Sequence, residues 1–153
     1  MSEAFARGVR LAVDVGSVRV GVARCDPDGI LASPVDTLAR DSTTLERLAA
    51  LTADLDAVVV YVGLPVSLGG GEGIAAQSAR QFAEELAAAA PCPVRLVDER
   101  LSTVDAQRAL RDAGRSARSS RSVVDQVAAV IILEQALSIE RATGTLAGTA
   151  VTV

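Results

Sequence analysis

A chain of 153 residues, half of them hydrophobic and only 2% aromatic, suits one compact domain with a core of Val, Leu, Ile and Ala. Its net charge of −4 argues against a generic nucleic-acid binder, so any such role needs a local basic face. There is no His and no Lys, all 15 basic residues being Arg, which excludes Ser-His-Asp and Cys-His catalysis, His-ligated zinc, Schiff-base lysines and a Walker lysine.

Cys25 and Cys92 form no CxxC pair and give neither a disulfide framework nor a metal signature, so reduced thiols of a cytoplasmic protein are expected. The longest apolar runs, residues 57–62 and 127–133, fall far short of the roughly 20 residues of a membrane helix. No secretion signal precedes Leu11, and no membrane partner is expected.

Residues 1–8 read as a leader, residues 9–142 as a single domain and residues 143–153 as a flexible tail rich in small side chains. The stretch LAVDVGSVRVGVA, residues 11–23, reads as a β-hairpin with Asp14 just before a turn at Gly16. An apolar strand has no packing use for an anion, so Asp14 either caps the turn through the backbone or does chemistry. Residues 25–29 are dense in turn formers, and residues 30–38, with Pro34, read as a third strand, antiparallel to the second and near an edge. A helix is predicted over residues 42–55, then a strand over residues 57–62 (AVVVYV), whose unbroken apolar run suits burial on both faces.

After the glycine-rich loop 67–73, a helix is predicted to residue 90, then a strand over residues 94–97 that ends just before Glu99. Ser102 reads as the cap of a helix reaching Ala113. Residues 115–121 (RSARSSR) read as a polar, mobile segment, and residues 122–141 as a long apolar helix containing Asp125. Strands alternating with helices in the second half imply parallel pairing, while the first three strands meander.

That arrangement places Asp14 and Glu99 at one edge of the sheet, the edge where open α/β sheets put their sites. Asp125 is the lone anion among the first turns of its helix and shares a face with Ala128 and Ala129, small enough for close packing on the sheet. Taken singly, Asp125 is accounted for by the helix macrodipole. Taken together, three carboxylates repel one another by about 4 kcal/mol per pair at 4 Å and an effective dielectric of about 20, so a cation is needed between them. All-oxygen ligands suit Mg²⁺ or Mn²⁺. Two such ions would support in-line displacement at a phosphodiester.

The loop LPVSLGGGEG lacks GK[ST] and is no P-loop, though glycines before a helix, Gly73 among them, form a candidate phosphate cradle. Residues 100–121 hold six arginines against Asp105 and Asp112, six minus two giving a local +4. This is either a solvated face or a surface for a nucleic-acid backbone, with Arg100, Arg118 and Arg121 nearest the acids in sequence.

The four stretches AVDVGSVRVGVA, VGLPVSLGGGEG, VDERLSTVDAQ and VVDQVAAVIIL, in that order, resemble the YqgF family, also called RuvX, of RNase H-like proteins described as nucleases. The resemblance spans residues 8–140. It implies an α/β, RNase H-like fold with a mixed five-stranded sheet, three antiparallel strands followed by parallel ones, flanked by helices. It also implies a cytoplasmic, metal-dependent endonuclease processing the 5′ end of pre-16S rRNA, or alternatively a Holliday junction resolvase acting on four-way DNA junctions, as monomer or homodimer. The family's acids fall on Asp14, Glu99 and Asp125, as ligands of Mg²⁺ or Mn²⁺. Gly16, Arg19 and Gly21 match its first motif, Gly63, Leu64 and Pro65 its second, and Arg100, Ser102 and Thr103 its third, and the residues expected to bind the substrate are Gly16, Arg19, Gly63, Leu64, Pro65, Gly73, Arg100, Thr103, Arg118 and Arg121.

Two departures touch the substrate side. Members often carry a Lys-rich run where this chain has RSARSSR, and Asp-Lys where it has Asp125-Gln126. A nucleotide-binding reading also arises, because Asp14-Val15-Gly16-Ser17 is similar to a phosphate loop of the sugar-kinase and actin superfamily. Those proteins duplicate the domain, however, and 153 residues leave no room for a second copy. A catalytically weak RNA-binding domain is the remaining alternative.

Overall fold

The computed structural model describes residues 6–65, 73–99 and 117–152, with side chains from residue 125 onward in the last segment. Its elements are β1 (Arg10–Val15), β2 (Arg19–Cys25), β3 (Ala32–Ala39), α1 (Thr44–Asp54), β4 (Val59–Pro65), α2 (Ile74–Ala89), β5 (Val94–Glu99), α3 (Ala117–Thr143) and β6 (Thr149–Ala150). One sheet runs in the order β3-β2-β1-β4-β5-β6. β1, β2 and β3 pair antiparallel, β1 with β4 and β4 with β5 parallel, as the meander followed by crossovers requires.

The alternation of the central strands separates two cores. Leu11, Val13, Val60 and Val62 face Leu48 of α1 and Phe82, Ala83 and Leu86 of α2. Ala12, Ala23, Val59, Tyr61 and Val97 face Ala129, Ile132, Leu133 and Ala136 of α3. The continuous apolar run of β4 follows from this: both of its faces are covered, and six of its seven residues are buried. β3 is the edge strand expected from Pro34, which lies where its register against β2 shifts between Val22 and Ala23, as a bulge accommodates the missing N–H.

The sheet has six strands, where five were expected. The sixth comes from the segment read as a flexible tail. Gly148 adopts φ of +71°, open to glycine, and a Cβ there would run into the Leu96 carbonyl, so the chain can lie against β5. Arg95 then holds it, donating from Nε to the Ala147 carbonyl at 2.6 Å and from Nη2 to that of Gly148 at 2.8 Å. Small residues carry little hydropathy signal, which is why the strand is hard to read from the sequence.

α3 likewise begins at Ala117, within the segment read as mobile. Once an apolar helix is nucleated, extending it through neighbouring Ala, Arg and Ser costs little. β5 extends to Glu99, two residues beyond its predicted end. The helix predicted from Ser102 and loop residues 67–72 lie outside the described residues. No helix among the described residues is long and apolar enough to cross a membrane.

Candidate active site

Asp14 and Glu99 lie near the C-terminal ends of β1 and β5, with β4 between them. Two glycines make the space around Asp14. On one side Gly21 of β2 pairs with Asp14 in register. On the other, Gly63 of β4 stands level with it, because Val13 and Val62 are partners one residue earlier.

Each glycine is pressed from above. A Cβ on Gly21 would be driven into the Asp125 carbonyl, so the glycine lets the backbone of α3 descend onto the sheet at that residue. A Cβ on Gly63 would lie 2.5 Å from Ile132 Cδ1 and 3.1 Å from Glu99 Oε2, so this glycine clears room for Glu99 to lean across β4 toward Asp14. Asp14 is thereby flanked by the other two acids. Gly21→Ala is expected to lift α3 at Asp125, destabilising the protein by about 1–3 kcal/mol in urea unfolding.

The electrostatics follow from this crowding. Burial, and then the charge of Asp125, push Asp14 from its ordinary 3.8 up to about 6. Burial, and then the charge of Asp14, push Glu99 from 4.5 up to about 7. No described Arg pairs with either, whereas Asp125 accepts from Arg19 Nε at 3.1 Å. As the side chains stand, no three His, Cys, Asp or Glu residues among the described ones converge closely enough to ligate one ion. The donor chemistry nevertheless fits a hard cation: oxygen ligands only, and negative charge that nothing in the described structure neutralises at Asp14 and Glu99.

Residues 8–139 match the family model described as RuvX: Holliday junction resolvase. The chain belongs to the RuvX family. Among RuvX relatives, a protein of Streptomyces coelicolor named putative pre-16S rRNA nuclease is 56% identical over 150 residues, covering 96% of this chain and 90% of its own. One of the same name from Thermobifida fusca is 54% identical over 144 residues, covering 89% and 91%. A solved structure of Thermus thermophilus RuvC in complex with Holliday junction substrate superposes with a TM-score of 0.55 at 15% identity, over 94% of this chain and 99% of that one. The fold of this RuvX chain is therefore the RNase H-like one.

The other residues matched to RuvX motifs separate by position. Gly16 closes the hairpin turn, its N–H donating to the Arg19 carbonyl at 2.9 Å. Pro65 pairs with Glu99 at the end of β4. Leu64, expected at the substrate, instead points into the core under α1 and α2, because it alternates with Gly63 across the sheet, so only its backbone is available there. Gly73 is the N-cap of α2, and a Cβ there would meet nothing among the described residues, so they place no steric demand for glycine at that position. Arg100 and Thr103, and the side chains of Arg118 and Arg121, lie outside the described residues.

The sequence reading missed Arg40. Its Nη1 donates to the Gly16 carbonyl at 2.9 Å and contacts Ser78 Oγ at 2.8 Å, while the guanidinium stacks over Phe82 with its carbon 5.5 Å from the ring centre. It ties the turn after Asp14 to α2. No sequence signal marks it, since its partners lie 24 to 42 positions away.

Proposed function

We propose that this protein is a metal-dependent endonuclease of structured RNA that trims the 5′ end of pre-16S rRNA, with Asp14, Glu99 and Asp125 holding Mg²⁺ or Mn²⁺. The observation that carries the reading is the placement of Asp14 between two further acids, in a glycine-lined gap where burial and mutual repulsion raise two of the carboxylates. The RuvX relatives named for pre-16S rRNA direct it to that substrate.

When bound, the metal supplies an activated water and charge stabilisation at a phosphodiester. The chain's own residues supply the frame. Asp14 sits on β1, which pairs with β2 at Asp14 itself, opposite Gly21, and with β4 as far as Val13, so its backbone is held within the sheet. Glu99 leans in over Gly63, and α3 brings Asp125 down on Gly21. Gly16, Pro65, Gly73 and the arginines at 100, 118 and 121, with Thr103, border this frame in sequence or space and serve to hold the nucleic-acid backbone, as Arg does well through paired N–H donors.

Resolution of four-way DNA junctions is the second reading, favoured by the description of the RuvX family itself. The purified protein should be incubated with pre-16S RNA and with a four-way DNA junction, in Mg²⁺ and in EDTA. Mg²⁺-dependent shortening of the RNA 5′ end with the junction left intact is expected. Symmetric nicking of the junction by a dimer, with the RNA uncut, would favour the second reading, and EDTA-resistant cleavage would refute metal dependence.

A metal-linked stabilisation should accompany activity. At ten times its dissociation constant, Mg²⁺ is expected to stabilise the wild type by about 1.4 kcal/mol and to lose that effect in Glu99→Gln, as differential scanning fluorimetry would show.

A further inference from the structure

Arg19 opens β2 directly after the hairpin turn, with its backbone fixed by the bond from Gly16, and its side chain reaches over to α3. The pair with Asp125 joins Nε to Oδ2 at 3.1 Å, with the two side chains 36% and 20% exposed. Of the three acids it is the one with a guanidinium partner among the described residues. A partly solvated, single-contact pair of this kind is weak and exchangeable. A divalent ion brings twice the charge to the same carboxylate, and it is repelled by the Arg19 cation while that cation stays in place.

We propose that Arg19 is an exchangeable internal counter-ion: it neutralises Asp125 while the acidic site holds no cation and gives up the carboxylate when a divalent ion binds. The released guanidinium then binds a phosphate of the substrate. This inference rests on Asp125 being a metal ligand, as proposed above, and adds the order of events. The two partners of Asp125 are antagonistic: to the extent that the Arg19 pair forms it weakens metal binding, and bound metal weakens the pair in turn. In keeping with this, one oxygen of Asp125 is held by Arg19, and no three of the described acids form a ready-made ligand set.

Calorimetric titration of the full chain with Mn²⁺ at fixed ionic strength tests this, using wild type, Arg19→Gln and Asp14→Asn. Arg19→Gln should bind Mn²⁺ about 2- to 5-fold more tightly than wild type, the range set by a solvated ion pair. Equal or weaker binding by Arg19→Gln, with wild type binding and Asp14→Asn not, would overturn the counter-ion role and leave the ligand set standing. Binding by neither wild type nor Arg19→Gln would overturn both. If circular dichroism shows Arg19→Gln unfolded, the Arg19 Nε–H resonance of the wild type decides. Saturating Mg²⁺ should shift it and speed its exchange with water, and an unmoved signal would overturn the proposal.

Discussion

Asp14→Asn is expected to make the metal-free protein more stable at pH 8 while abolishing cleavage. The sign follows from the direction of the shifts. Asp14 and Glu99 titrate near 6 and 7 in the folded protein against 3.8 and 4.5 ordinarily, so between those limits the folded state binds more protons than the unfolded one. Their contribution to stability is therefore undiminished below about pH 4, declines as pH rises and is most unfavourable above about pH 7. For Asp14 alone a shift of this size corresponds to about 3 kcal/mol.

Asn keeps the volume and removes the charge, and it also relieves Glu99, whose second cause of elevation is Asp14. The expected gain at pH 8 is about 2–3 kcal/mol, or roughly 5–10 °C in Tm, vanishing near pH 4. Thermal melts of both proteins at the two pH values, without metal, give the comparison. Cleavage in Mg²⁺ should fall by about 10²-fold or more, the scale for removing one electrostatic group at a reacting centre. A variant with equal stability at both pH values would contradict the crowding of carboxylates, and one with undiminished Mg²⁺-dependent cleavage would contradict the assignment of Asp14. An acid that destabilises the fold it sits in is the expected mark of function held against stability.

Glu140→Gln should be the most damaging substitution away from the site. Arg10 is fully buried, and its Nε and Nη2 donate to the two oxygens of Glu140 at 3.1 and 2.7 Å. Tyr61 Oη donates to the same carboxylate at 2.6 Å and accepts the Ala147 N–H at 3.2 Å, and burial followed by the bond to Glu140 holds the phenol's pKa far above its ordinary value. The network joins β1, β4, α3 and the segment leading to β6, and every charge in it is compensated. Removing the carboxylate's charge takes the counter-ion from the buried Arg10 cation, which costs about 3–5 kcal/mol out of a total of about 5–15 for a domain.

Replacing both partners by apolar residues, Arg10→Met with Glu140→Leu, should restore most of that loss, because the desolvation cost of both ions disappears with them. Urea unfolding of the single and double variants separates the two cases. A double variant as unstable as Glu140→Gln would show that packing, rather than the unbalanced charge, dominates.

Much of the architecture was legible because its signals are local. The β-branched run of β4, the hairpin around Gly16, the edge position implied by Pro34 and the helical spacing of α1 and α2 each follow from residues within a few positions of one another. Asp14 stood out for the same reason, as a charge in an apolar strand. β6 and the early start of α3 did not, since small or polar residues acquire those structures only from what lies beside them.

Residue types alone limit the available chemistry, since a chain without His or Lys has carboxylates and arginines to work with, and they mark which acids to consider. How those acids meet depends on the packed fold. Neighbours in sequence do not show what Gly21 and Gly63 make room for, which is α3 and Glu99 pressed against them, nor that Arg10 meets Glu140, 130 residues away. The physical reason is the same in each case: steric clearance and charge compensation act between atoms in contact, and contacts across a sheet are set by register and layer packing, to which neighbours in sequence give no access.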